Sequence, residues 1–296
     1  TGLVINYSAY ASANYDLPND LGAFNGSSIS LDARAFSPYG TLSQSAIVGS
    51  TTFSDFTALR LDTTWSYSDQ GRMLSYNLGD IVSGGLAWTR PVRMGGAQIR
   101  RNFDLRPDLV TMPLPQIEGS AAVPSTLQVF VGNVQTYSSS LQPGPFAIDS
   151  LPVYTNAGTA RVVLTDSAGQ VTESEQEFYT SPELLKRDLY DFSVEAGVVR
   201  RDYGTNSFGY DTDPALVGSF RYGVTNSLTG EAHVEAQADL IDIGIGGLFS
   251  AGRFGMISGA IAGSLHDGDA GFFLYAGWEG QFVFHQGPLG RRAIQR

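Results

Sequence analysis

Apolar and polar residues alternate along most of this chain with a period of 2, the repeat of a strand with two unlike faces rather than of a helix. From Leu59 to Tyr67 one parity reads Leu59, Leu61, Thr63, Trp65, Tyr67, and the other reads Arg60, Asp62, Thr64, Ser66. After turn residues at Asp69, Gln70 and Gly71, Leu74, Tyr76 and Leu78 alternate with Ser75, Asn77 and Gly79. Tyr190, Phe192, Val194, Ala196 and Val198 alternate with Asp191, Ser193, Glu195 and Gly197. Leu216, Gly218, Phe220, Tyr222 and Val224 do the same against Val217, Ser219, Arg221 and Gly223. Glu231, His233, Glu235, Gln237 and Asp239 then oppose Ala232, Val234, Ala236, Ala238 and Leu240, and Gly-rich strands follow over Ile241–Leu265 and Gly271–Phe284.

Two architectures fit such a pattern. One is a soluble β-sandwich or lipocalin-like barrel with a single buried face. The other is a membrane barrel, whose tilted strands of about ten residues carry an apolar outer face with aromatic girdles. The polar face of Glu231 to Asp239 is too heavily ionised for a sandwich core, and Trp65, Tyr67, Phe220 and Tyr222 stand in rows on the apolar face. The pattern therefore predicts an all-β chain built on a transmembrane antiparallel β-barrel.

One stretch breaks the rhythm. Between Thr111 and Pro182 turn residues crowd in at Pro113, Pro115, Pro124, Gly132-Asn133, Pro143-Gly144-Pro145, Gly158 and Gly169, with short apolar strands at Leu127–Val131, Ala160–Leu164 and Thr172–Phe178. About six short strands with closely spaced turns predict a small inserted β-sandwich. The expected organisation is barrel over 1–110, sandwich over 111–182 and barrel again over 183–296. Such an insert either hangs outside the membrane or fills the barrel as a plug.

Composition narrows the function classes. Only 16% of the residues are charged, against roughly 25% in ordinary soluble domains, as interleaved apolar and neutral polar residues require. A net charge of -11 argues against nucleic acid, whose phosphates are bound by Lys and Arg clusters. No apolar run approaches the roughly 18 residues of a membrane-spanning helix. With no Cys, disulfides and thiolate metal sites are excluded. His233, His266 and His285 are scattered without metal-ligand spacing, and no nucleophile motif or phosphate loop is present. These features predict no catalytic residue, no metal and no cofactor.

Several segments resemble the outer-membrane ushers of the chaperone-usher pilus pathway. Leu141-Gln142-Pro143-Gly144-Pro145-Phe146-Ala147-Ile148-Asp149-Ser150-Leu151 is similar to the family's PPGPF-I-DL plug signature. Thr165-Asp166-Ser167-Ala168-Gly169 resembles its E-A-D-G turn, and Tyr179–Leu185 its PYSSVPLL exit. Leu78-Gly79-Asp80, Met94-Gly95-Gly96-Ala97-Gln98-Ile99 and Arg221–Ala236 are similar to barrel segments in the same order.

The resemblance implies an outer-membrane pore, in a Gram-negative cell, that assembles and secretes pilus subunits. Periplasmic chaperone-subunit complexes and outer-membrane lipid would be its partners, and the sandwich would gate the channel as a plug. It marks Pro143, Gly144, Pro145, Phe146, Ile148 and Asp149 as the plug signature. Arg60, Asp62, Glu195, Arg201, Arg221, Glu231, His233, Glu235 and Asp239 become candidate lumen-facing residues able to hold the plug through ion pairs. Each has a plainer reading as part of a solvated polar face, and a passive porin or a secreted β-sandwich binding module remain the alternative functions. At roughly 20 residues per strand and turn the chain supplies about eleven barrel strands, so the resemblance implies a partial barrel, the first half of the family's.

Overall fold

The computed structural model describes residues 1–16, 21–51, 54–148, 151, 153 and 157–280. The chain opens with six strands: β1 (Gly2–Asp16), β2 (Leu21–Ser37), β3 (Gly40–Thr51), β4 (Ser54–Asp69), β5 (Leu74–Val82) and β6 (Arg93–Arg101). Six shorter ones follow: β7 (Ile117–Ala121), β8 (Ser125–Val131), β9 (Val134–Leu141), β10 (Gly144–Ile148), β11 (Ala157–Asp166) and β12 (Val171–Tyr179). The last six are β13 (Tyr190–Arg200), β14 (Tyr210–Thr225), β15 (Leu228–Gln237), β16 (Leu240–Ser250), β17 (Met256–His266) and β18 (Asp269–Glu279).

The first and last sets form one 12-stranded antiparallel sheet in the order β1-β2-β3-β4-β5-β6-β13-β14-β15-β16-β17-β18. Neighbours in sequence are neighbours in space except at β6 and β13, which pair directly although the six short strands lie between them in the chain. The large sheet has one strand more than the sequence spacing suggests because its hairpins are tight. Only Pro38 and Tyr39 separate β2 from β3, and only Asn226 and Ser227 separate β14 from β15.

The period-2 pattern becomes two unlike faces. On β13 to β15, Val194, Leu216, Phe220 and Tyr222 are exposed on one face, while Ser193, Glu195, Val217, Thr229, Glu231 and His233 are buried on the other. Aromatic rings line the exposed apolar face in cross-strand and same-strand pairs. Trp65 stacks on Tyr67 at 6.3 Å between centroids, and Tyr190 on Phe220 at 6.5 Å. An apolar, aromatic face left uncovered by protein on this scale suits a lipid surface and not water.

The alternation is interrupted where a residue is inserted. Between β3 and β4, Gln44 pairs with Thr63 but Ala46 pairs with Arg60, so two residues of β4 oppose one of β3. Gly79 takes φ +107°, and a Cβ there would lie 2.2 Å from the Thr63 carbonyl oxygen, so only glycine fits.

The short strands build a sandwich: a four-stranded sheet, β12-β11-β8-β9, faces the pair β10-β7. Alternate residues of β8, Leu127, Val129 and Val131, turn inward against Ile117, Ile148, Leu151, Val162 and Phe178. Ile117 is almost fully buried there. Ile117→Val should cost about 0.5–1.5 kcal/mol of sandwich stability, read from hydrogen exchange of the β7 and β10 amides; no change would mean that the core does not close around that side chain.

Candidate functional site

The polar face of the large sheet is occupied by the loop between β5 and β6, residues 83–92, which folds back onto β13 to β16. Gly84 donates its backbone N–H to Glu195 Oε1 at 3.0 Å, and Gln98 Nε2 donates to the same oxygen at 2.7 Å. Ser193 Oγ is a third donor to it. Glu195 is fully buried, and donors of this kind are what a buried carboxylate requires. Gly84 permits the approach, since a Cβ would stand 2.4 Å from the Ser193 Cβ.

Farther along the loop, Trp88 Nε1 donates to Glu231 Oε2 at 2.9 Å, and its ring meets His233 edge-on at 5.9 Å. The floor under the ring is glycine: a Cβ on Gly244 would lie 2.6 Å from the indole, and one on Gly246 would lie 2.8 Å from Nε1. Glu231 also accepts from Arg221 Nε at 3.0 Å, and His233 Nε2 lies 2.8 Å from Glu235. The row Glu231, His233, Glu235 is thus produced by simple strand periodicity in β15: Glu231 finds partners on β14 and on the loop, His233 meets the loop's indole, and Glu235 pairs with His233 along the strand.

The two chain connections of the sandwich meet at one place on this face. Lys186 N–H donates to the Thr111 carbonyl at 2.7 Å, Leu185 N–H to Thr229 Oγ1 at 2.9 Å, and Arg221 to the Glu183 carbonyl. Gly223 allows the exit segment to pass, because a Cβ would lie 2.2 Å from the Lys186 carbonyl oxygen. The sandwich itself touches the large sheet through a small apolar joint of Tyr179, Leu184, Leu248 and Met256, with Ala157 packed against it. In the entry segment, Arg106 makes two hydrogen bonds to Asp108 and holds that carboxyl at about 2. The pKa is lowered by folding, so the pair favours the folded form above the ordinary carboxylate range and loses that contribution as pH falls through about 2. An NMR titration of Asp108 near its usual 3.8 would contradict the pairing.

A second polar cluster lies at the opposite strand end. Arg200 Nη1 bonds Asp80 at 2.8 Å and Asp62 at 3.1 Å, with only 1% of the Arg200 and 4% of the Asp80 side chain exposed. Arg60 pairs with Asp80 and Tyr210 and binds the Ser207 carbonyl. Tyr203 donates to Asp62, and Arg93 lies 3.7 Å above its ring. Burial pushes the Tyr203 phenol up, and the bond to Asp62 adds to the effect. The loop 201–209 covers this knot.

The sequence-predicted residues therefore divide. Glu195, Arg221, Glu231, His233 and Glu235 come together on the polar face beneath the loop 83–92. Arg60 does not: the inserted residue in β4 puts it on the side of Ala46 and Thr63, the parity of Trp65, and it joins Asp62 in the knot. Arg201 is exposed just past β13 and pairs with Asp211 at 2.9 Å. Asp239 is exposed in the turn after β15, because that strand ends at Gln237.

Among the described residues, the ion pairs of Arg60, Asp62, Arg201, Arg221, Glu231, His233 and Glu235 run to one another and to Asp80, Arg93, Arg200 and Asp211, all outside the sandwich. Of the signature, Pro143 precedes β10, Gly144 takes φ +133°, Pro145 and Phe146 lie in that strand, and Ile148 enters the core. Phe146 lies over Gly119, where a Cβ would come within 2.6 Å of its ring. Asp149 and His285 lie outside the described residues.

Sequence reasoning missed Trp88, Gln98, Asp80, Arg200 and Tyr210. A tryptophan in the Gly84-Gly85 to Pro91 loop was the available signal, since a loop bathed in solvent has no use for so large an apolar ring.

A family model described as outer membrane usher protein matches residues 76–265. The usher FasD of Escherichia coli is 23% identical over 197 residues, covering 66% of this chain and 23% of its own length. The usher FocD of Escherichia coli is 24% identical over 211 residues, covering 68% and 23%. This chain thus spans about a quarter of the length of these curated relatives. The E. coli P pilus tip assembly intermediate PapC-PapD-PapK-PapG aligns over 96% of this chain and 36% of the matched chain, with TM-score 0.68 and 16% identity, a likeness of fold. With the family model covering well over half of its residues, the chain belongs to the outer membrane usher family.

Proposed function

We propose that this chain forms part of the wall of an outer-membrane pore that assembles and secretes pilus subunits delivered by a periplasmic chaperone, and that the inserted sandwich is its plug. In this reading 1–110 and 183–296 are barrel and 111–182 is plug. The chain is an assembly platform and not an enzyme, and its polar face, bearing Glu195, Arg221, Glu231, His233 and Glu235, lines the lumen. Chaperone-subunit complexes are its partners, a reading supported by family membership and by the likeness to a usher captured with PapD, PapK and PapG.

The observation that carries the proposal is the interruption of the large sheet. A sheet with an apolar aromatic face and a polar face continues directly from β6 to β13, and a separately cored sandwich is held at that junction by both of its connections. A wall needs unbroken hydrogen bonding between neighbouring strands in lipid, which the β6–β13 pairing maintains across the insertion. The sandwich keeps a core of its own and meets the wall through a separate apolar joint, so it can move as a unit without unfolding. Deleting Thr111 to Pro182 in the full-length protein should raise bilayer conductance and antibiotic entry; unchanged permeability would defeat the gating role.

A further inference from the structure

The four-stranded sheet of the sandwich ends in two outer strands, β12 and β9, and they differ in chemistry. β12 carries Glu173, Glu175 and Glu177 at alternate positions, all exposed. Charges in a row on an edge strand oppose the addition of another strand, a common protection of exposed sheet edges. β9, with the sequence VQTYSSSL, has no charged residue. Among the described residues β9 pairs only with β8, so the main-chain groups on its other side have no strand partner.

The side chains of β9 fit the same purpose. A register shift near Val129 and Phe130 disturbs the start of the strand and leaves Tyr137 to Leu141 regularly paired. Within that stretch Tyr137 and Leu141 lean against the core beside Phe146, while Ser138 and Ser140 face solvent. The opposing sheet has two strands against four, and Tyr137, Leu141 and Phe146 remain only partly buried. A fifth strand would find unpaired N–H and C=O groups along its length and apolar surface on its inner side.

We propose that β9 is a strand-acceptor edge, which takes an extended, uncharged segment of another polypeptide as a fifth strand. Main-chain hydrogen bonds would supply most of the affinity, and alternate apolar side chains packed beside Tyr137, Leu141 and Phe146 would supply the selectivity. A second copy of this chain is the poorer occupant. The sandwich carries Glu118, Asp149, Asp166, Glu173, Glu175 and Glu177 against Arg161, and edge-to-edge pairing would bring two bodies of like net charge together. An uncharged strand meets no such repulsion.

The inference goes beyond the pore reading and is tested apart from it, because binding at β9 is measured whether or not the sheet conducts. The full chain in detergent is titrated with an end-capped peptide of alternating valine and threonine, carrying one lysine outside the strand for solubility, and followed by hydrogen exchange. Exchange over 134–141 should slow by about tenfold or more on binding while 171–179 stays unchanged. The double variant Ser138→Lys, Ser140→Lys should weaken the peptide by about tenfold, with unchanged exchange in β8 and β11 showing that its sandwich is intact. Three results would overturn the proposal: no protection at 134–141, equal protection at 171–179, or protection that rises with protein concentration without peptide, which marks a second copy as the occupant.

Discussion

Arg200→Met should lower the unfolding free energy in detergent by about 3–5 kcal/mol, the cost of removing one partner of a buried ion pair. Arg200 is 1% exposed and bonds both Asp62 and Asp80, and the Asp80 side chain is 4% exposed. The remaining Arg60 reaches only Asp80 among these carboxylates, so Asp62 keeps Arg93, at 3.4 Å, and the Tyr203 hydroxyl. The loop 201–209 loses the Arg200 bond to the Ser207 carbonyl as well. An exposed pair gives the contrast: Arg34 and Asp32 lie 2.8 Å apart with side chains 51% and 33% exposed. Arg34→Met should change stability by less than about 1 kcal/mol. Urea titration of both variants decides the matter, and equal small effects would mean that the knot is solvated and contributes little.

Trp88→Ala should release the loop 83–92 from the polar face. The substitution removes a half-buried indole and its hydrogen bond to Glu231, together worth about 3 kcal/mol of loop docking. Exchange of the loop amides should rise about a hundredfold, since each 1.4 kcal/mol is a factor of roughly ten. The fold itself should persist, because Trp88 lies outside the strands and the β5–β6 ladder is independent of it. Gly244→Val approaches the same outcome from the wall: a Cβ there already falls 2.6 Å from the indole, so the ring must leave its seat. Wild-type exchange in both variants would show that Gly84 and Glu195 hold the loop alone.

Much of the wall was legible in sequence because strand periodicity is local. The faces of β13, β14 and β15 follow directly from the alternation over 190–198, 216–224 and 231–237. Arg60 was misplaced because the inserted residue in β4 changes its parity, and a one-residue slip exchanges the faces. Only the register with β3 reveals it. Arg200 and Asp80 were missed for a related reason: each sits at a strand end where the pairing shifts or a glycine takes positive φ, and the partners lie 120 residues apart in sequence. The seat of Trp88 on Gly244 and Gly246 is a contact between a loop and distant strands, invisible to any pattern of near neighbours. The sandwich core was easier, since the alternate apolar residues Leu127, Val129 and Val131 mark the inward face of β8.

The central claim is that the large sheet separates lipid from water, with the face of Leu31 outward and the face of Asp32 inward. Because residues 1–296 hold no cysteine, a single cysteine placed along β2 from Ser28 to Ala35 is the one thiol of this region, and the protein without it gives the background. Modification by a membrane-impermeant thiol reagent, in the full-length protein in outer-membrane vesicles, should alternate. Positions 28, 30, 32 and 34 should react, while 29, 31, 33 and 35 should resist and instead be quenched by a lipid-borne probe when labelled. Uniform reactivity along the strand, or reaction at 29, 31, 33 and 35 in place of their neighbours, would contradict the account.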